Sequence, residues 1–361
     1  MADAGESPPQ SGADVDAVTA PMTPGEFREV AEGVYLIANP VAFPPGFQNA
    51  VLLADESPSG APSWTIVDPG LKTAEADLDA HLTAQFPSGV DAERRITRVV
   101  ATHHHPDHIG AAGALQRRGA ELLTTRTAWL YARMLHLGAT DQPPPEAEAF
   151  YRRAGFDEAQ LEGWRERSRL NFAAMVAPLP LGFTLLKEGD TLSIGARRWR
   201  VLMGHGHAPD HLLLWRPEEK LLIAGDQILP KISPNIGVYP AEPEGDPLGD
   251  WIDSCRRLAA ELGETPDTLT LPGHGDPFYD PSTRLLKVAA KHEAALERLE
   301  TFLDSPRTVV ECFQPMFRRV IPDSHNGLAV GETLSHLHRL MRQGRARRSM
   351  RSDGVHLYRR A

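Results

Sequence analysis

Four imidazoles and a carboxylate fall within the segment Thr102-His103-His104-His105-Pro106-Asp107-His108. Imidazole nitrogen and carboxylate oxygen are donors for a divalent first-row metal. With no thiolate among them the set suits Zn²⁺, and Mn²⁺ or Fe²⁺ also fits. In an extended segment alternate residues face the same way. His103 and His105 can therefore meet one ion, while Asp107 and His108, beyond the proline, turn to a second. A histidine-rich surface loop is the plainer reading, but such a loop has no reason to place an Asp in this register behind a strand.

The elements that must position these groups are short apolar strands. Ile96-Thr97-Arg98-Val99-Val100-Ala101 reads as a buried strand that delivers the cluster from its end. The same device recurs along the chain. Trp64-Thr65-Ile66-Val67 stops at Asp68, which either starts a turn or orients a ligand histidine from behind. Trp199 to Met203 runs into Gly204-His205-Gly206-His207 and on to His211, Leu221 to Gly225 stops at Asp226, and Leu269 to Gly273 stops at His274. One His or Asp at a strand end usually caps a turn, whereas the recurrence is specific.

Composition sets the frame. A chain of 361 residues accommodates one large domain and a small one. A net charge of -10 argues against a chain-wide nucleic-acid surface and leaves room for a local basic patch. Cys255 and Cys312 give no disulfide framework and fit a reducing compartment. No apolar run approaches a membrane span, and the N-terminus lacks the basic and apolar parts of a secretory signal, so the cytoplasm is expected. Residues 1–25, rich in Pro, Ser, Gly, Ala and Asp, are expected to form a disordered tail. A helical insertion is expected at 126–181, broken by Pro143-Pro144-Pro145, with most of its aromatics in its own core and a minority facing the cluster as a lid. At the C-terminus, helices over about 284–303, 308–317 and 328–344 lead to a hairpin around Asp353-Gly354.

Asp68, His103-x-His105-x-Asp107-His108, His207, Asp226 and His274 follow the order and style of the motifs of the metallo-β-lactamase superfamily, which the chain resembles over about residues 28–283. The resemblance implies an α/β fold, a four-layer αβ/βα sandwich over 26–283 with two zinc ions at one edge. A small winged-helix-like domain would follow over 284–361. It also implies that His103, His105 and His207 hold the first ion, that Asp107, His108 and His274 hold the second, and that Asp226 bridges them. Asp107 and His211 are the candidate catalytic residues, with Asp68 behind the ligands.

Departures narrow the reaction. Lactam-cleaving members usually carry Cys where Asp226 stands, so hydrolysis of lactam antibiotics is not expected. His105 in place of Glu disfavours the di-iron flavoprotein branch. Lactone-cleaving members carry a Tyr after the bridging Asp where this chain has Gln227, which weakens a lactonase reading. The expected activity is hydrolysis of a small-molecule ester or thioester, similar to glyoxalase II, by a metal-bridging hydroxide. The glutathione-binding helical domain of that enzyme is not evident. The alternative is a zinc-dependent endoribonuclease. From Asp323 onward eight arginines face three acids, and Arg342, Arg345, Arg347, Arg348 and Arg351 would then track an RNA backbone.

Overall fold

The computed structural model describes residues 15–140, 142–168 and 172–361. Seven strands form one sheet in chain order: β1 (Phe27–Ala31), β2 (Val34–Pro40), β3 (Phe47–Glu56), β4 (Pro62–Val67), β5 (Arg95–Ala101), β6 (Glu121–Thr124) and β7 (Thr184–Leu185). Six more form a second sheet: β8 (Thr191–Ile194), β9 (Arg197–Gly204), β10 (His211–Arg216), β11 (Leu221–Gly225), β12 (Leu269–Pro272) and β13 (Phe278–Tyr279).

Alternation along these strands decides the layering. Leu36, Val51 and Leu53 face one core, and their neighbours Ile37, Ala50 and Leu52 face another. Val201, Met203, Leu212 and Leu214 join the first core from the second sheet, and Leu202 and Leu213 turn to a third. A strand buried on both faces needs cover on both faces. The helix Ala74–Gln85 and the short helices Pro106–Ile109 and Ala112–Arg117 cover one outer face through Leu78, Ile109 and Leu115. The helices Pro247–Leu262, Pro281–Phe302 and Asn326–Arg342 cover the other, giving helices, sheet, sheet, helices.

Strand direction then brings the chemistry to one edge. β4 and β5 are parallel, and so are β11 and β12, while β9 reaches the direction of β11 through antiparallel β10. The loops after β4, β5, β9, β11 and β12 therefore leave their sheets at carboxyl ends that point the same way. Backbone bonds stitch the two sheets there: Asn49 N–H donates to Gly273 O at 2.7 Å and Leu212 N–H to Thr102 O at 2.9 Å.

Several expectations shift. The expected tail falls partly outside the described residues, since 1–14 are not among them. Within residues 17–25, Val18 and Met22 are buried in the core between the sheets, and Met22 N–H donates to Asp276 Oδ1 at 2.9 Å. Two apolar side chains suffice to dock a segment whose composition is otherwise that of a tail. After the histidine cluster the chain forms two short helices that break at Gly110, where a Cβ would collide with the Pro106 carbonyl. The segment 308–317 is a helical turn followed by Phe313–Phe317.

The insertion comprises Arg126–Leu137, Pro145–Ala154, Glu158–Ser168 and Phe172–Met175. Its Phe150, Tyr151, Phe156 and Leu161 share the third core with the C-terminal helices, so they pack beyond the insertion itself. The C-terminal hairpin pairs β14 (Ala346–Met350) with β15 (His356–Arg360). Among the described residues no helix is long and apolar enough to cross a membrane.

Candidate metal centre

All seven candidate ligands meet at that edge. His103 Nε2 lies 2.9 Å from His105 Nδ1, and His103, His105 and His207 form one group whose donor atoms lie within 4.8 Å of one another. Asp107, His108 and His274 form a second such group. Asp226 stands between them: its Oδ2 is 3.5 Å from His207 Nε2 and 3.6 Å from His274 Nε2, and its Oδ1 is 3.4 Å from His108 Nε2. Two donors on one tetrahedral ion with bonds near 2.0–2.1 Å stand about 3.3 Å apart, so these separations are those of ligands sharing ions.

Each outer imidazole is held from behind. His207 Nδ1 donates to Asn235 O at 2.8 Å, His274 Nδ1 to Phe47 O at 2.9 Å, and His108 Nδ1 to Asp68 Oδ2 at 2.8 Å. Fixing the proton on Nδ1 turns the Nε2 lone pair inward. His108 Nε2, His207 Nε2 and Asp226 Oδ1 are buried with no hydrogen-bond partner among the described residues. Polar atoms are rarely buried unpaired, and these three converge, so the donor set fits a divalent cation.

The electrostatics agree. Burial, reinforced by neighbouring imidazoles, holds His103 and His105 well below the ordinary histidine range, leaving neutral rings with a lone pair to give. Burial opposes charge on His108 too, yet Asp226, Asp68 and Asp107 together lift it well above that range. Burial would raise Asp226, but His274 and His108 hold it well below the usual carboxylate value. Three buried carboxylates thus call for positive charge at this point, from a proton on His108 or from a metal cation.

His211 is fully buried and stacked on His103, ring centroids 4.6 Å apart, and its Nε2 accepts the backbone N–H of Asp226 at 3.1 Å. It is not among the residues that line the cavity, and its contact with the Asp226 backbone places it behind that carboxylate. A Cβ at Gly273 would overlap Asp226 Oδ1 and His108, which explains glycine before His274. Gln227, where a lactonase has Tyr, is buried against Gly204 and also stays out of the cavity. Cys255 and Cys312 are free and buried, and burial pushes both thiols up to about 12.

A cavity of about 350 Å³ opens on His105 and His207. His104, from the same histidine segment, is tilted against Tyr131 of the insertion with centroids 5.1 Å apart, and both line the cavity. Tyr239, Glu242, Asp246 and Asp250, not singled out from the sequence, line it as well. The run of prolines and acids at 240–247 was the available signal, and it reads as an ordinary loop until folding brings it beside the histidines.

The C-terminal arginines are largely engaged within the chain. Arg345 pairs with Glu300 at 2.5 Å, Arg348 with Glu244 at 2.9 Å and Arg351 with Asp353 at 2.8 Å, while Arg342 donates to the Glu244 carbonyl. Guanidinium groups so paired present less free positive charge to a phosphate backbone. Lys231, beside the loop after Asp226, pairs with Asp276 at 2.8 Å.

Comparison with known proteins points the same way. A family model described as the metallo-beta-lactamase superfamily matches residues 43–274, and one described as a metallo-beta-lactamase-like C-terminal domain matches 296–361. The crystal structure of a beta-lactamase domain protein from Burkholderia ambifaria is 33% identical, covers 95% of this chain and 97% of its own, and superposes with a TM-score of 0.81. The probable metallo-hydrolase YqjP of Bacillus subtilis is 28% identical over 76% of this chain and 83% of its own length. The human acyl-coenzyme A thioesterase MBLAC2 is 24% identical over 56% of this chain and 63% of its own.

Proposed function

The chain belongs to the metallo-beta-lactamase superfamily, and on that premise we propose that it is a two-metal hydrolase of a small-molecule ester or thioester. The observation that carries the reading is the inward convergence of His108, His207 and His274 on Asp226, each ring pinned through Nδ1. His103, His105 and His207 would hold one ion and Asp107, His108 and His274 the other, with Asp226 shared. Zinc suits this set, and manganese or iron also fits it. Bound there, the ions would supply a Lewis acid for the substrate carbonyl and lower the pKa of a water.

The chain's own residues supply the remaining parts. Asp107, which burial would raise, is held below the usual carboxylate value by His108 and His274, so it stands ionised, with Oδ2 3.1 Å from His274 Nε2, able to bind an ion or orient a water. His211 fixes the backbone under Asp226, and Asp68 fixes His108. The cavity between Tyr131 and Tyr239 would receive the acyl or leaving group and shed water around it.

A carboxylate at Asp226 in place of a thiolate supports an ester or thioester over a lactam, and a thioesterase among the relatives supports the same class. The test is turnover of a panel of S-acyl thioesters and aryl esters by metal-analysed protein, with labelled single-stranded RNA alongside. Turnover that falls at least about 10²-fold in both His105→Ala and Asp226→Ala is the expected result. Full activity in either variant, or cleavage of RNA alone, would remove this reading.

A further inference from the structure

Among the described residues no lysine or arginine lines the cavity beside the metal centre, and three carboxylates, Glu242, Asp246 and Asp250, stand in its wall. One of the three is already neutralised. Asp246 Oδ2 is paired with Arg339 at 3.1 Å, and Asp246 Oδ1 caps the helix Pro247–Leu262 by accepting Gly249 N–H at 3.1 Å. Glu242 and Asp250 are exposed, and no ion pair joins either of them among the described residues. The nearby basic groups of the C-terminal helix and hairpin are turned to other partners: Arg348 to Glu244 at 2.9 Å, and His338 Nδ1 to the Gly245 carbonyl at 2.9 Å. His205 stands near Asp210, 3.5 Å away.

Two phenol rings, Tyr131 and Tyr239, complete the wall. An aromatic face attracts a cation through its quadrupole, and rings combined with carboxylates recognise ammonium groups. Tyr239 is also tied to the metal centre, since its hydroxyl donates to Asn235 Oδ1 at 2.9 Å and the Asn235 carbonyl accepts His207 Nδ1. Independently of the acids, His207 is only 8% exposed and its Nε2, without a hydrogen-bond partner, opens on the same cavity. The cavity therefore adjoins the proposed reaction centre, and a substrate acted on there must occupy it.

We infer that the cavity takes a substrate bearing a positive charge, a quaternary ammonium or protonated amine, held between Tyr131, Tyr239, Glu242 and Asp250 with its scissile carbonyl toward His105 and His207. This rests on the ester or thioester reading for its chemistry, but its recognition part can be tested alone. An anionic portion, such as a phosphate or carboxylate, meets like charge at Glu242, Asp246 and Asp250 and, among the described residues, no lysine or arginine in this wall.

The experiment compares three S-acetyl thioesters of matched size on the metal-loaded full chain: a trimethylammonium ethyl thioester, its neutral tert-butyl isostere and a carboxylate analogue. The non-hydrolysable thioethers of the same three are titrated by calorimetry. The expected order is cation over neutral over anion, with kcat/KM for the cation about tenfold above the neutral isostere, and a ratio that shrinks with salt. In the Glu242→Gln/Asp250→Asn double variant that ratio collapses toward unity, and the cationic thioether loses its binding advantage. Equal binding of cationic and neutral thioethers, or an unchanged ratio in the double variant, overturns the inference. If no thioester is turned over yet the cationic thioether binds preferentially and loses that preference in the variant, the recognition stands and the hydrolytic reading fails.

Discussion

Asp68 and His108, forty residues apart, are both buried and joined by a 2.8 Å bond from His108 Nδ1 to Asp68 Oδ2. The other face of the carboxylate is fully used: Oδ1 accepts Thr102 N–H and Oδ2 accepts Thr102 Oγ1, both at 2.7 Å. One side chain thus fixes the start of the histidine loop and the tautomer of a ring at its end. Its backbone sits at φ 54, a left-handed conformation that lets the chain turn directly after β4 and aim the carboxylate at the loop.

Replacing Asp68 by Asn keeps the size and removes the charge that holds the proton on His108 Nδ1. The expected outcome is a metal affinity and a kcat/KM each lower by about 10–100-fold, as for other groups that orient a metal-binding histidine. Chelator competition measures the first and thioester turnover the second, with circular dichroism confirming the fold. Unchanged metal affinity would show that Asp68 serves Thr102 alone.

The His211–Asp226 contact makes a different demand. Deleting the imidazole leaves the Asp226 N–H buried and unpaired, which costs about 1–3 kcal/mol before the cavity under His103 is counted. His211→Ala is expected to lower the melting temperature and the turnover rate while the metal content stays near two ions per chain. The pH profile of the residual activity should keep its shape, because burial already pushes His211 down to about 3 and removes it from proton traffic near neutrality. A profile that loses one limb in the variant would return His211 to the chemistry.

The metal-centre residues were legible in the sequence because each leaves the end of an apolar strand, and strand ends of parallel elements gather at one edge. Residue type and register alone therefore carried the donors. That some aromatic of the insertion faces the cluster was legible, but not that it is Tyr131, and Tyr239, Glu242 and Asp250 were not legible, because they come from a loop and a helix start whose approach depends on tertiary packing. The docking of Val18 and Met22 escaped for the same reason: two isolated apolar residues carry no period. The partners of the basic C-terminus were not legible either, because charge counted along the chain does not show them. Arg345 finds Glu300 and Arg348 finds Glu244, 45 and 104 residues away.

A hydrogen-bonded chain away from the metal centre sets the expected acid sensitivity. Ser233 Oγ lies 2.8 Å from His292 Nε2, His292 Nδ1 lies 3.2 Å from His336 Nε2, and His336 Nδ1 donates to the Glu332 carbonyl at 2.8 Å. Burial, with the facing His336 and Lys291, pushes His292 down to about 3, and burial pushes His336 down to about 4. Both fold as neutral rings, whereas the unfolded chain takes up protons near 6.5, the unperturbed value. Because the folded values are the lower ones, the unfolded state binds more protons as pH falls, and stability rises with pH through this window. Full stability is expected above about pH 7, with a loss on the order of 2 kcal/mol per ring by about pH 5. Urea unfolding at a series of pH values measures the slope between about pH 7 and 4.5. In His292→Gln/His336→Gln that part of the slope should flatten, whatever the double variant does to stability at neutral pH. An equally steep decline in the double variant would place the acid sensitivity elsewhere.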